Sequence, residues 1–122
     1  MNDRLTNLAF YQMALDLWDE CWLDGDILLR DTRGKEIIKQ LTRCVGSISA
    51  NIEEGYGRGF GKEYPHYLKI ARGSAREAKG WYKKSSYLLP SDTIKQRTDK
   101  LDQIIAMLNQ SINTLTAKNT YK

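Results

Sequence analysis

Four stretches of the sequence repeat apolar side chains at steps of three and four residues. None sustains the two-residue alternation of a half-buried strand. That pattern confines the chain to helices. The first stretch covers about residues 5–24, extending at most to 30. In it, Leu8, Tyr11, Leu15, Trp18 and Trp22 form one row, with Phe10, Ala14, Leu17 and Cys21 in a second row beside it. Together the rows cover about half the helix circumference, more than the roughly 100° stripe an ordinary surface helix buries. The excess points to a second packing surface, such as another subunit. Gly25, between Asp24 and Asp26, is expected to break or fray this helix.

The second helix is expected over 32–58, with Ile38, Leu41, Val45, Ile48 and Ile52 inward and Asp31 or Thr32 capping its start. The third is expected over 62–89, on Tyr64, Tyr67, Ala71, Ser74, Ala78, Tyr82, Ser85 and Leu89. Pro65 fits its first turn, where backbone N–H groups lack partners anyway. Gly73 and Gly80 fall in its middle, each at about 1 kcal/mol in helix propensity. A close packing contact is the expected reason for them. The fourth helix is expected over 92–117, on Ile94, Leu101, Ile105, Leu108, Ile112 and Leu115, with Ser91 or Asp92 as its cap after Pro90. Long helices joined by short connections predict an all-α, antiparallel up-down-up-down four-helix bundle, one domain over 1–122.

Scarce residue types exclude several chemistries. One histidine, His66, and two cysteines, Cys21 and Cys44, fall short of the three or four ligands of a zinc site. The longest aliphatic run is Ile27-Leu28-Leu29, whereas a membrane span needs about 18 apolar residues. No apolar leader opens the chain, so a cytoplasmic protein with reduced thiols, no membrane contact and no cofactor is expected.

The glycine-rich stretch Gly55 to Lys62 matches neither phosphate-binding pattern. Tyr56 stands where a P-loop has its first glycine and Glu63 where it has Ser or Thr. It reads as a helix-to-helix turn, or as a basic-aromatic loop carrying Arg58, Phe60 and Lys62 towards nucleic acid. Glu63-x-x-His66 has the spacing of a di-iron bundle, but one histidine cannot supply the second motif that such a centre needs. On the second helix Gln40, Arg43, Ser47, Asn51, Glu54 and Arg58 share one polar strip. Arg72 and Glu77 of the third helix complete a set expected to fix the two helices together, or to join a neighbouring subunit. No nucleophile, metal or cofactor motif accompanies them, so no catalytic residue is assigned and no enzyme is expected.

The net charge of +4 is unevenly spread. Residues 1–61 hold seven basic and ten acidic side chains, and residues 62–122 hold twelve and five, so the halves carry −3 and +7. Lys62, Lys69, Arg72, Arg76, Lys79 and Lys83 fall within about a third of the third helix's circumference with no acidic residue among them. Solvated helix faces usually mix signs. The strip is therefore either a soluble face or a surface that tracks phosphates.

A longer pattern carries a family resemblance. Gln40-Leu41-Thr42-Arg43 is followed by the run Ser47-Ile48-Ser49-Ala50-Asn51-Ile52-Glu53-Glu54-Gly55-Tyr56-Gly57-Arg58. Then come Lys62-Glu63-Tyr64, Tyr67-Leu68, Ile70-Ala71-Arg72-Gly73-Ser74 and Glu77. Over residues 40–77 this resembles the rRNA-intervening-sequence four-helix-bundle proteins. It departs from their pattern at Ser49, where they carry proline, and at Leu28-Leu29-Arg30-Asp31, where they tend to have a proline-containing turn. The resemblance implies a homopentamer with a central channel and no enzymatic activity. A related branch comprises the accessory proteins of diversity-generating retroelements, which bind a reverse transcriptase and nucleic acid through a basic surface. The expected function is therefore a non-catalytic oligomer that binds RNA or DNA through Arg58, Lys62, Lys69, Arg76, Lys79 and Lys83, as an accessory to a reverse transcriptase or to rRNA. The other expectation is a structural or protein-interaction module that binds no nucleic acid.

Overall fold

The computed structural model describes residues 4–59 and 61–120. A 3₁₀ turn at Arg4–Asn7 leads into α1 (Ala9–Leu28), α2 (Thr32–Arg58), α3 (Glu63–Lys84) and α4 (Ser91–Thr120). Three short turns connect them, so consecutive helices run antiparallel. Each packs on its chain neighbour, and α1 meets α4 to close the bundle. The described residues contain no strand.

The core follows the predicted rows. Leu41, Val45, Ile48 and Ile52 of α2 face Leu17 and Cys21 of α1, Leu68, Ala71, Ala78 and Tyr82 of α3, and Leu101, Ile104 and Leu108 of α4. Of the two rows on α1, the chain buries the one through Phe10, Ala14, Leu17 and Cys21. Burial pushes the Cys21 thiol up to about 12 and raises that of Cys44, so neither is a ready nucleophile.

Several expected boundaries move. Gly25 does not break α1; it lies buried inside it, where a Cβ would stand 3.0 Å from Cδ1 of Ile38. The glycine admits α2 rather than ending α1. Helix α3 stops at Lys84 rather than 89, because the Ser85 N–H bonds back to the Tyr82 carbonyl and opens a turn. Ser85 and Leu89 remain buried in that turn, which is why the apolar period runs past the helix end. Helix α4 runs on to Thr120 rather than 117. Helix α2 continues unbroken across Ser49, whose hydroxyl donates to the Gly46 carbonyl.

Two turns set the geometry. At the first, Asp31 caps α2, accepting from the Arg33 N–H at 2.8 Å. The Arg33 guanidinium and N–H hold the Asp31 carboxyl down at about 2. Gly34, one turn on, presses against the end of α1; a Cβ there would lie 1.8 Å from the Leu28 carbonyl oxygen. At the second, Gly59 (φ 79°) and Gly61 (φ 72°) take left-handed conformations that disfavour other residues. Gly55 and Gly57 belong to α2 itself, so the turn is shorter than the glycine-rich stretch implies. Phe60 lies outside the described residues.

Candidate interaction surfaces

Four kinds of site arise from this frame. The first is the predicted polar strip between α2 and α3, which the structure divides into three groups. Arg43 bonds to Gln40 and pairs with Glu77 across the helices. Ser74 donates to the Ser47 hydroxyl at 2.9 Å, and Asn51 donates to the same hydroxyl and to the Ser47 carbonyl at 2.8 Å. Arg58 pairs with Glu54 at 2.9 Å and approaches Glu63 at 3.7 Å, with its guanidinium over the Tyr67 ring. Arg72, expected in this set, instead crosses to α4 and donates to Asn109 at 2.8 Å. The first two groups tie α2 to α3, and the third ties the end of α2 to the start of α3.

The second is the basic strip, which also divides. Lys79 turns towards α4 and pairs with Asp102 at 2.6 Å, so an acidic residue from another helix does reach the strip. A helical wheel places side chains on a face but omits the neighbouring helix. Lys62, Lys69, Arg76 and Lys83 stay exposed at intervals of seven residues and make no ion pair within the described residues. Seven residues are about 10.5 Å of helix. Gly73 and Gly80 lie between these cations, not at a packing contact. A Cβ on either would meet no atom within 4 Å, so the expected close contact is absent inside the chain.

The third is the second apolar row of α1. Leu15, Trp22 and Leu29 are 40%, 62% and 53% exposed, again at intervals of seven. Trp18 is half-buried with its ring 6.1 Å from that of Trp22. The two tryptophans, Asp19 and Leu23 line a shallow groove. Exposed apolar patches of this kind mark interaction surfaces.

The fourth is a buried charge cluster that the apolar rows concealed. Asp24 is only 3% exposed. Its carboxylate accepts from Arg97 at 2.8 and 3.0 Å and from the Tyr82 hydroxyl at 2.7 Å. Glu20 beside it accepts from Arg97 at 3.2 Å and from Lys100 at 2.8 Å. Burial pushes the Tyr82 phenol far up, while Asp24 raises the guanidinium of Arg97. A signal existed in the sequence: Asp24 continues the row Leu17, Cys21, and Arg97 sits between Ile94 and Leu101. A charge on a core row needs a partner. Every buried polar side-chain atom among the described residues has one, so the cluster reads as a structural tie.

Glu63 and His66 are both exposed, and the imidazole packs edge-on against Tyr67 at 5.5 Å. Among the described residues, no three His, Cys, Asp or Glu side chains stand where they could hold a metal ion. No helix among them is long and apolar enough to cross a membrane.

Comparison with known proteins gives a consistent picture. The crystal structure of a member of the S23 ribosomal protein family from Bacteroides thetaiotaomicron VPI-5482 superposes with a TM-score of 0.77. It is 20% identical, with 85% of this chain and 98% of that chain covered, a likeness that speaks for the fold. No curated protein matches the sequence. The model of the 23S rRNA-intervening sequence proteins matches residues 6–110, which include the run Ser47 to Arg58, the basic strip and the exposed row of α1. The chain therefore belongs to the 23S rRNA-intervening sequence protein family.

Proposed function

We propose that this protein is a non-catalytic, self-associating bundle that works through its surfaces. The observation that carries this reading is the row Leu15, Trp22 and Leu29, an apolar seam along α1 and its C-cap that stays exposed in the single chain. Its exposed large side chains gain by leaving water, at about 25 cal/mol per Å². Five copies is the number that the family resemblance implies. Sedimentation of the wild-type protein is expected to give a mass several times the 14.1 kDa of one chain, and Leu15→Glu with Leu29→Glu a mass near 14.1 kDa with an unchanged circular dichroism spectrum. A wild-type protein that sediments as one chain at its highest attainable concentration overturns the reading.

A second reading, nucleic-acid binding, is supported by the four exposed cations Lys62, at the N-cap of α3, and Lys69, Arg76 and Lys83 on it. Each phosphate they neutralise would release counterions, so affinity would fall steeply with salt. Replacing Lys69, Arg76 and Lys83 by Glu is expected to abolish the binding of structured RNA or duplex DNA seen at about 50 mM salt, a regime where phosphate contacts are strong. No gel shift by the wild-type protein at that salt rules this reading out.

A further inference from the structure

We infer that self-association is head-to-tail, with the aromatic seam of α1 on one copy seated on the glycine-and-cation seam of α3 on the next. This rests on the self-association reading and assigns the face that receives α1. Three features of the two seams match. The first is repeat. Leu15, Trp18, Trp22 and Leu29 step by three, four and seven, while Lys69, Gly73, Arg76, Gly80 and Lys83 step alternately by four and three. Both are the spacing with which side chains of one helix insert between those of another. In an up-down bundle α1 and α3 point the same way, so a rotation about an axis along the bundle lays them parallel and in register.

The second feature is size. Leu15 and Trp22, seven residues apart, project from one seam, and Gly73 and Gly80, also seven apart, leave open space in the other, whereas Trp18 already lies against Gly46 of α2. Each glycine weakens α3, and nothing inside the chain explains either one. Leu15 and Trp22 arriving from a second copy do.

The third is charge. Asp19 and Asp26, seven residues apart, flank the aromatic seam, and Asp16 lies further round the helix. All three are exposed and make no ion pair within the described residues. Lys69, Arg76 and Lys83 repeat at the same interval. A two-fold pairing of α1 with α1 would bring the acidic rows together and leave the glycines uncovered. Unlike faces at opposite corners of the bundle instead generate a closed ring or an open filament. The same pairing covers the cations that nucleic acid would need, so assembly and phosphate binding compete for one surface.

A mixing experiment tests the pairing. Trp22→Lys disables the first face. Gly73→Trp with Gly80→Trp disables the second, at positions with free space inside the chain. Each variant alone is expected to run as a single chain in light scattering, with circular dichroism showing a folded bundle. Mixed in equal amounts, they are expected to form a one-to-one dimer and nothing larger, because each supplies the face the other lacks. A mixture that stays monomeric overturns the α1-on-α3 pairing, as does either variant alone assembling like wild type. In both cases a wild-type oligomer leaves self-association standing. A monomeric wild-type protein removes both.

Discussion

Asp24→Ala is expected to lower the unfolding free energy by about 3–5 kcal/mol, the range for removing one partner of a buried ion pair. For a chain of this length that corresponds to a fall of very roughly 10–20 °C in melting temperature. The reason is what remains behind. Arg97 loses both hydrogen bonds to Asp24 and stays mostly buried, with only the 3.2 Å contact to Glu20. Tyr82 is left with a buried hydroxyl that has lost its acceptor. Tyr82→Phe removes one bond to a charged group and is expected to cost about 1.5–3 kcal/mol. The double change Asp24→Leu with Arg97→Met removes both charges and is expected to be milder than either single change. Urea denaturation followed by circular dichroism measures all of these. An Asp24→Ala protein within 1 kcal/mol of wild type, a shift small against the cited range, shows that the cluster carries no weight.

The second large effect is expected from a single methyl group. Gly34→Ala places a Cβ 1.8 Å from the Leu28 carbonyl oxygen and 2.6 Å from its carbon, and both obstacles are backbone. No rotamer change relieves that overlap. The turn between α1 and α2 has to open, which threatens the bond from the Gly34 N–H to the Asp31 carbonyl at 3.0 Å and that from Asp31 to Leu28 at 3.2 Å. A loss of about 3–5 kcal/mol is expected, at the upper end of single substitutions. Gly73→Ala and Gly80→Ala are the controls. With open space around them, each is expected to raise stability by up to about 1 kcal/mol through helix propensity. A Gly34→Ala protein that melts with wild type contradicts the close approach of α2 to Leu28.

These residues show what a sequence can and cannot carry. The rows through Leu41, Val45, Ile48 and Ile52, and through Leu101, Leu108 and Ile112, are local repeats, so the helices and their inner faces were legible. Asp24 and Arg97 are 73 positions apart, and each alone looks like a lapse in a row; only the closed bundle makes them a pair. Gly34 gave no local signal, because what it avoids is the backbone of another helix. The basic strip was legible as composition but not as a surface, since α4 lies along one edge and draws Arg72 and Lys79 away. Gly73 and Gly80 stand out in the sequence for their cost, and their surroundings inside the chain leave that cost unexplained.

The Asp24 and Glu20 cluster also bears on the order in which the chain assembles. Contacts of α1 with α2, α2 with α3 and α3 with α4 join neighbours in sequence and close small loops, which favours fast formation. Among the described residues, the seam of α1 with α4 joins the ends, and its ion pairs bridge 73 to 80 positions. Closing so long a loop costs more entropy than forming a hairpin. That ordering predicts that the charges act as a latch set late, after the three hairpins have formed. Interactions that form after the rate-limiting step govern how fast a protein opens rather than how fast it folds. Weakening the latch should accordingly shorten the lifetime of the native bundle and leave its refolding time almost untouched.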